Sequence, residues 1–329
     1  MDSLPIRSSH VVNLNLLSVR ISSNLEQFSA YSYFSSFRPD QEDADYEVTC
    51  IDLNRDDIPA QAYANRSDRS FRGKRFKAGY YLVHYFGDPA YLITRDRKFY
   101  VFGRSLQKTV WPYFVKHILT IFAADHGYLH LKAAGFELPG SGATLLVGRN
   151  GSGKTVFLAQ ACLNGARFLG NTHALIRDGV AYGVPSSIRI RRDKCFGELI
   201  DKHHLTPHME SGDYVIDSST LFGSPQVASS RVRNIVIADY NPELPAGLMP
   251  ISSWAAGTFM EQFSFAVTTY GLKDDLLAHY GLDFDAYVDS LGRMRRQLRE
   301  LAVGAHCYRA NVDMLDGESR HATLKKLAE

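Results

Sequence analysis

Residues 143–155 read Ala-Thr-Leu-Leu-Val-Gly-Arg-Asn-Gly-Ser-Gly-Lys-Thr. Gly148, Gly153, Lys154 and Thr155 fall at the spacing G-x-x-x-x-G-K-[ST] of a phosphate-binding loop. The apolar run 144–147 before it predicts a strand, and the stretch 156–164 after it predicts a helix. Each part has a chemical reason. Gly148, Gly151 and Gly153 let the main chain curl so that its N–H groups face an anion. The opening of the helix adds the positive end of its dipole. Lys154 has the reach for β- and γ-phosphates, and the Thr155 hydroxyl can ligate Mg²⁺. The nucleotide set is therefore Gly148, Arg149, Asn150, Gly151, Ser152, Gly153, Lys154 and Thr155, with ATP or another nucleoside triphosphate and Mg²⁺ as the implied ligands. A plain glycine-rich turn would not need an ammonium and a hydroxyl in sequence after the third glycine.

Other polar residues carry two readings each. Asp239 closes the apolar run 233–239, where phosphate-loop enzymes often place a second magnesium carboxylate; a turn residue ahead of Asn241-Pro242 is the plainer alternative. Arg189, Arg191 and Arg192 offer an anion clamp or a solvated strand edge. His203, His204 and His208 invite a metal reading, but no cysteine or carboxylate stands at ligand spacing. Lys132 shares strand parity with His130, so both side chains leave the same face.

Composition narrows the class. The chain has 329 residues, 45% hydrophobic and 22% charged, with a net charge of +2. Such a balance supplies no field to recruit nucleic acid or an anionic membrane. The longest apolar runs fall short of the ~20 residues that span a bilayer. Residues 1–7 lack the basic start and apolar core of a secretory signal. Cys50, Cys162, Cys195 and Cys307 are too scattered for a disulfide framework or a zinc site, which fits a reduced, cytoplasmic setting. The 18 tyrosines and 19 phenylalanines come with no RNA-binding signature.

The elements that would position the loop are legible in outline. Strand signals fill the first hundred residues: 11–21, 46–53, 80–86, 91–94 and 98–102, with Gly87-Asp88-Pro89 joining a pair. The polar, arginine-rich stretch 54–77 reads as a long loop, and its 66–77 portion could cover a site or grip an acceptor. Apolar residues at helical spacing from Leu106 to Phe122 predict a linking helix. Then come strands at 128–138 and 144–147 around the turn Pro139-Gly140-Ser141-Gly142. Further strands are expected at 167–169, 174–176, 187–191, 233–239 and 306–312, with helices at 252–268, 272–280 and 284–303. The expected class is α/β or α+β. A strand-rich domain over 1–125 would precede a nucleotide-binding domain over 126–329.

The segment Leu129-His130-Leu131-Lys132-Ala133-Ala134-Gly135-Phe136, a turn, the phosphate loop, a helix ending at Asn164-Gly165 and the strand Ala166-Arg167-Phe168-Leu169 together resemble the catalytic domain of HPr kinase/phosphorylase-like proteins. Leu301 to Leu315, with His306-Cys307-Tyr308-Arg309-Ala310, is similar to that family's final strand. The resemblance spans roughly 127–315 and extends to kinases that tailor ribosomally made peptides. It implies a phosphotransferase fold, ATP and Mg²⁺, a catalytic role for Lys154, and a histidine near the phosphates at His130. The chain departs from the family at Gly170-Asn171-Thr172-His173. There the family carries two aspartates that hold Mg²⁺ and accept the acceptor's proton. Asn171 and Thr172 can do neither in that way. His173, next to the gap, either takes the proton or is a strand residue hydrogen-bonded to backbone.

Three functions follow. The first is an ATP- and Mg²⁺-dependent phosphotransferase acting on a hydroxyl of a peptide, a protein or a small metabolite. The second is a nucleotide-binding module or switch with little chemistry, favoured by the missing aspartates. The third is a transporter-type ATPase, whose loops share the spelling Gly-Arg-Asn-Gly-Ser-Gly-Lys-Thr; against it, no Leu-Ser-Gly-Gly signature is present and no Asp-Glu pair closes the 235–239 run. HPr-kinase relatives include hexamers, so a homo-oligomer is open, though no interface is legible. Neither nucleic acid nor membrane is an expected partner.

Overall fold

The apolar run that ends at Asp239 forms the spine of the larger of two sheets. It belongs to β14 (Ser229–Ala238), which is parallel both to β8 (Gly142–Val147) and to β16 (His306–Asn311). A strand with parallel neighbours on both sides is buried on both faces, which is why Ile235, Val236 and Ile237 read as continuous rather than alternating. The structure, a computed structural model, describes residues 3–37, 43–59, 91–104, 106, 110–208, 212–264, 276–277, 279–281 and 283–329. It is mixed α/β. Met1–Ile121 with Leu272–Val288 make one compact unit, and Phe122–Gly271 with Asp289–Glu329 make another.

In the first unit, β1 (Ser8–Asn13), β2 (Ser18–Ser23), β3 (Tyr46–Asp52), β4 (Tyr91–Arg95) and β5 (Lys98–Gly103) form a sheet in the order β1-β2-β3-β5-β4. The single strand expected over 11–21 is instead a hairpin. Asn15 takes a left-handed φ of 74° and donates its N–H to the Asn13 side chain at 3.0 Å. Leu14 and Leu17 are fully buried in the turn, so the apolar pattern runs through it and hides it. The buried Asn24 side chain ties this hairpin to β3, accepting from the Asp52 N–H at 2.8 Å and donating to its carbonyl at 2.9 Å. The strand expected at 80–86, its turn at 87–89, and the loop beyond residue 59 lie outside the described residues.

The linking helix is real but differently wound. Val110–Val115 has π pitch, and the α-helix proper is α1 (Lys116–His126).

The larger sheet, in the second unit, takes the path β6-β10-β11-β14-β8-β7-β9. It contains β6 (Leu129–Lys132), β7 (Ala134–Leu138), β9 (Arg167–Gly170), β10 (His173–Arg177) and β11 (Val180–Gly183). The one strand expected over 128–138 divides at Ala133. β6 pairs with β10, and β7 pairs with β8 and β9. No glycine or proline marks the break, because the partners impose it. The sheet curls until β11 meets β9: a Cβ on Gly183 would lie 1.7 Å from the Leu169 carbonyl oxygen, so only glycine fits. β15 (Gly247–Pro250) adds antiparallel to β16, and β12 (Ile188–Ile190) pairs apart with β13 (Tyr214–Ile216).

Helix α2 (Lys154–Leu163) buries Phe157, Leu158, Ala161 and Cys162 against the sheet, and Phe157 stacks on Phe136 of β7 with ring centroids 6.1 Å apart. As expected it stops at Asn164, ahead of Gly165 with a φ of 99°. Two short helices follow, α3 (Gly197–Lys202) and α4 (Ser218–Phe222). The helix expected over 252–268 is α5 (Ser253–Glu261), and it stops early. Phe263 gives its carbonyl to the Lys132 N–H at 2.8 Å, and Ser264 bridges Leu131, so the chain is drawn off to extend the edge of β6. The stretch 272–280 lies mostly outside the described residues. α6 (Phe284–Val303) matches its expected span, while α7 (Gly317–Ala328) was not foreseen. It buries only Thr323 and Leu327, too few to show a period. Asn234 of β14 anchors it, donating to the Leu327 carbonyl at 2.8 Å.

Candidate functional site

The loop 148–153 joins the C-terminal end of β8 to the first turn of α2, the strand–loop–helix order that the spelling requires. Its glycines differ in purpose. Gly151 and Gly153 hold left-handed φ values of 81° and 85°. Gly148 is needed for proximity: a Cβ there would stand 2.6 Å from the Ala238 carbonyl oxygen and 2.7 Å from Ser152 Oγ. Gly153 is the residue capping α2 and, having no side chain, makes no cap hydrogen bond to the first-turn amides. Those N–H groups therefore keep their pull on an anion.

Lys154 folds back over the loop. Its Nζ donates to the Gly148 carbonyl at 2.8 Å and the Arg149 carbonyl at 2.6 Å. Burial first, and the charge of Lys132 second, push its pKa down to about 8. Thr155 follows in the first turn, half-buried, and Arg149 is exposed.

A second cation comes from β6. Lys132 Nζ donates to Asn150 Oδ1 of the loop at 2.9 Å. In the β6–β10 ladder Lys132 stands opposite His173, and His130 opposite Leu175. Residues directly opposite in a ladder share a face, so His130, Lys132 and His173 belong to one row. His130 Nε2 lies 3.0 Å from His173 Nδ1, and the rings are 1% and 2% exposed. The sequence pattern found both histidines but not their mutual contact, which depends on a strand pairing that it does not encode. The contact with His130 belongs to neither reading of His173 made from the sequence.

Asp239 sits one residue beyond β14, beside the loop strand, and its N–H donates to the Ala310 carbonyl at 3.1 Å. Its carboxylate accepts from Arg309 at 2.7 Å, both side chains being about half exposed. Arg309 had given no sign in the sequence of this role. Tyr240, also exposed, flanks Gly153. Asn171 and Thr172 form the turn between β9 and β10, at the head of the histidine row.

The remaining candidates are committed elsewhere. Arg191 and Arg189 face Asp213 at 2.9 and 4.0 Å, and Arg192 pairs with Asp201 at 2.8 Å. Among the described residues no group of three or more His, Cys, Asp or Glu could hold a metal, so His203, His204 and His208 do not form one. The four cysteines are free thiols. Among the described residues no helix is long and apolar enough to cross a membrane.

No family model matches this sequence, and no curated protein matches it. Among solved structures it is similar to the Hpr(Ser) kinase/phosphatase from Coxiella burnetii. The match covers 49% of this chain and 95% of that one, at 13% identity and a TM-score of 0.22. The likeness is one of fold, and a weak one.

Proposed function

We propose that this chain is a nucleotide-dependent phosphotransferase whose nucleotide site would lie in the unit of Phe122–Gly271 and Asp289–Glu329. One observation carries the reading. A half-buried lysine is clasped by loop carbonyls beneath a helix N-terminus that no side chain caps. A cation held at a burial cost, next to amides that still attract an anion, is an arrangement that a polyphosphate would complete. Gly148, Arg149, Asn150, Gly151, Ser152, Gly153, Lys154 and Thr155 would cradle the phosphates. Thr155 and Asp239 would carry Mg²⁺; an Asp239 role requires release from Arg309, a half-exposed pair worth about 0–1 kcal/mol. A bound Mg²⁺ would neutralise charge on the phosphates. The acceptor would be a hydroxyl of a peptide, a protein or a small metabolite, approaching the row of His130, Lys132 and His173.

The second reading is a nucleotide-binding switch with little turnover. The turn Asn171-Thr172 favours it, since neither side chain is a base or a metal-binding carboxylate. Calorimetric titration with ATP, ADP and GTP in the presence of Mg²⁺, followed by a turnover assay with and without hydroxyl acceptors, decides. Binding with acceptor-dependent ADP release supports transfer, binding without turnover supports the switch, and no binding of any nucleotide ends both.

A further inference from the structure

We infer that Lys132 is a sensor of the terminal phosphate: it leaves Asn150 to contact the outermost phosphate and so makes the site prefer nucleoside triphosphates over diphosphates. This rests on the nucleotide reading above and adds a residue outside the loop motif to it.

The argument is positional. Lys154 comes from the helix side of the loop and Lys132 from the sheet side, on a strand that does not lead into the loop. Lys132 reaches the loop through Asn150 Oδ1 at 2.9 Å, so its ammonium already stands at the rim. Two ammonium groups held near one loop repel each other, and the field of Lys132 is felt at Lys154. An anion between them would turn that repulsion into attraction. Lys132 belongs to the same row as His130 and His173, the row that an acceptor would approach on the reading above, and it also reaches the loop. A phosphate group that contacts both the loop and this row is the one furthest along the chain of phosphates. A side-chain amide is a neutral partner, whereas a phosphate oxygen carries full negative charge, so exchanging Asn150 for phosphate adds an ion–ion attraction to the hydrogen bond. Replacing the Gly148 and Arg149 carbonyls that now hold Lys154 follows the same logic at the inner phosphates.

The test is titration of the full chain with ATP and with ADP, each with Mg²⁺, comparing the unaltered protein, Lys132→Ala and Lys132→Arg. The lysine head is exposed, so both variants should keep the melting temperature. Lys132→Ala should weaken ATP by about tenfold or more, the size of one charge-assisted contact, with ADP changed less than about twofold. Lys132→Arg should restore most of the preference, since it restores the charge. Equal losses for ATP and ADP, no loss for either, or an arginine variant as poor as alanine would each overturn the role of Lys132 alone. An unaltered protein that binds neither nucleotide would overturn the nucleotide reading itself.

Discussion

His130 Nε2 and His173 Nδ1 stand 3.0 Å apart across the β6–β10 ladder, with both rings sealed from solvent. One nitrogen must donate and the other accept, so the tautomer of each ring is fixed by its neighbour. Two protonated rings would point N–H at N–H. On the phosphotransferase reading the pair would pass a single proton along one line, in a site where the turn Asn171-Thr172 supplies no base. General base catalysis is worth about 10²–10⁴-fold. His173→Ala should lower turnover by at least about a hundredfold, with nucleotide affinity within about threefold. Steady-state rates alongside titration check this; undiminished turnover in a folded variant removes His173 from the chemistry.

Lys154→Ala removes the cation that the loop is built around. Nucleotide affinity should drop by about tenfold or more for triphosphate and diphosphate alike, since the inner phosphates are common to both. That pattern differs from the selective loss expected at Lys132. Full affinity in the Lys154 variant would mean that the loop is not the binding site.

The lowered pKa of Lys154 gives a pH signature with a definite sign. With the folded value near 8 and the ordinary value at 10.5, the unfolded chain holds a proton that the folded one lacks between those limits. Unliganded stability should thus gain from this group as pH rises from about 8 to 10.5, and its cost should be fully present below 8. Binding runs the other way. A polyphosphate wants the ammonium form, so affinity should fall above pH 8, and binding at pH 8.5 should take up protons. Calorimetry in two buffers of different ionisation enthalpy measures that uptake directly; identical heats would contradict it.

Gly183→Ala tests the curled frame. Its Cβ would fall 1.7 Å from the Leu169 carbonyl oxygen, a backbone atom that cannot swing aside. Overpacking typically costs about 1–3 kcal/mol and occasionally more; here about 3 kcal/mol or more is expected, visible as a lower midpoint in urea. Arg309→Ala is the contrasting case: it breaks a half-exposed pair with Asp239 and should cost under about 1 kcal/mol. A Gly183 variant as stable as the Arg309 variant would refute the packing argument.

What could be read before the fold was seen divides along physical lines. The strand–loop–helix order around 148–153, the stop of α2 at Asn164-Gly165 and the span of α6 rest on local chemistry, and they came out where the residues placed them. So did β14, whose unbroken apolar run demands burial on both faces. The hairpin at Asn15 stayed hidden because Leu14 and Leu17 are buried within its turn. The division at Ala133 stayed hidden because only the competing partners β10 and β9 create it. Lys132 could be assigned a face but not a destination, because its meeting with Asn150 depends on chain brought together by tertiary pairing.

The absence of room for one methyl group at Gly183 says something about motion. β9 and β11 approach too closely at Leu169 and Gly183 for any side chain to stand between them, so this frame is expected to hold still when a ligand binds. Arrival of a ligand should register in the torsions of Lys132, Asn150 and Lys154 and in the amides of 148–153. In a hydrogen-exchange experiment, protection should change in that loop, while the strand amides of 167–170 and 180–183 continue to exchange only when the whole unit unfolds.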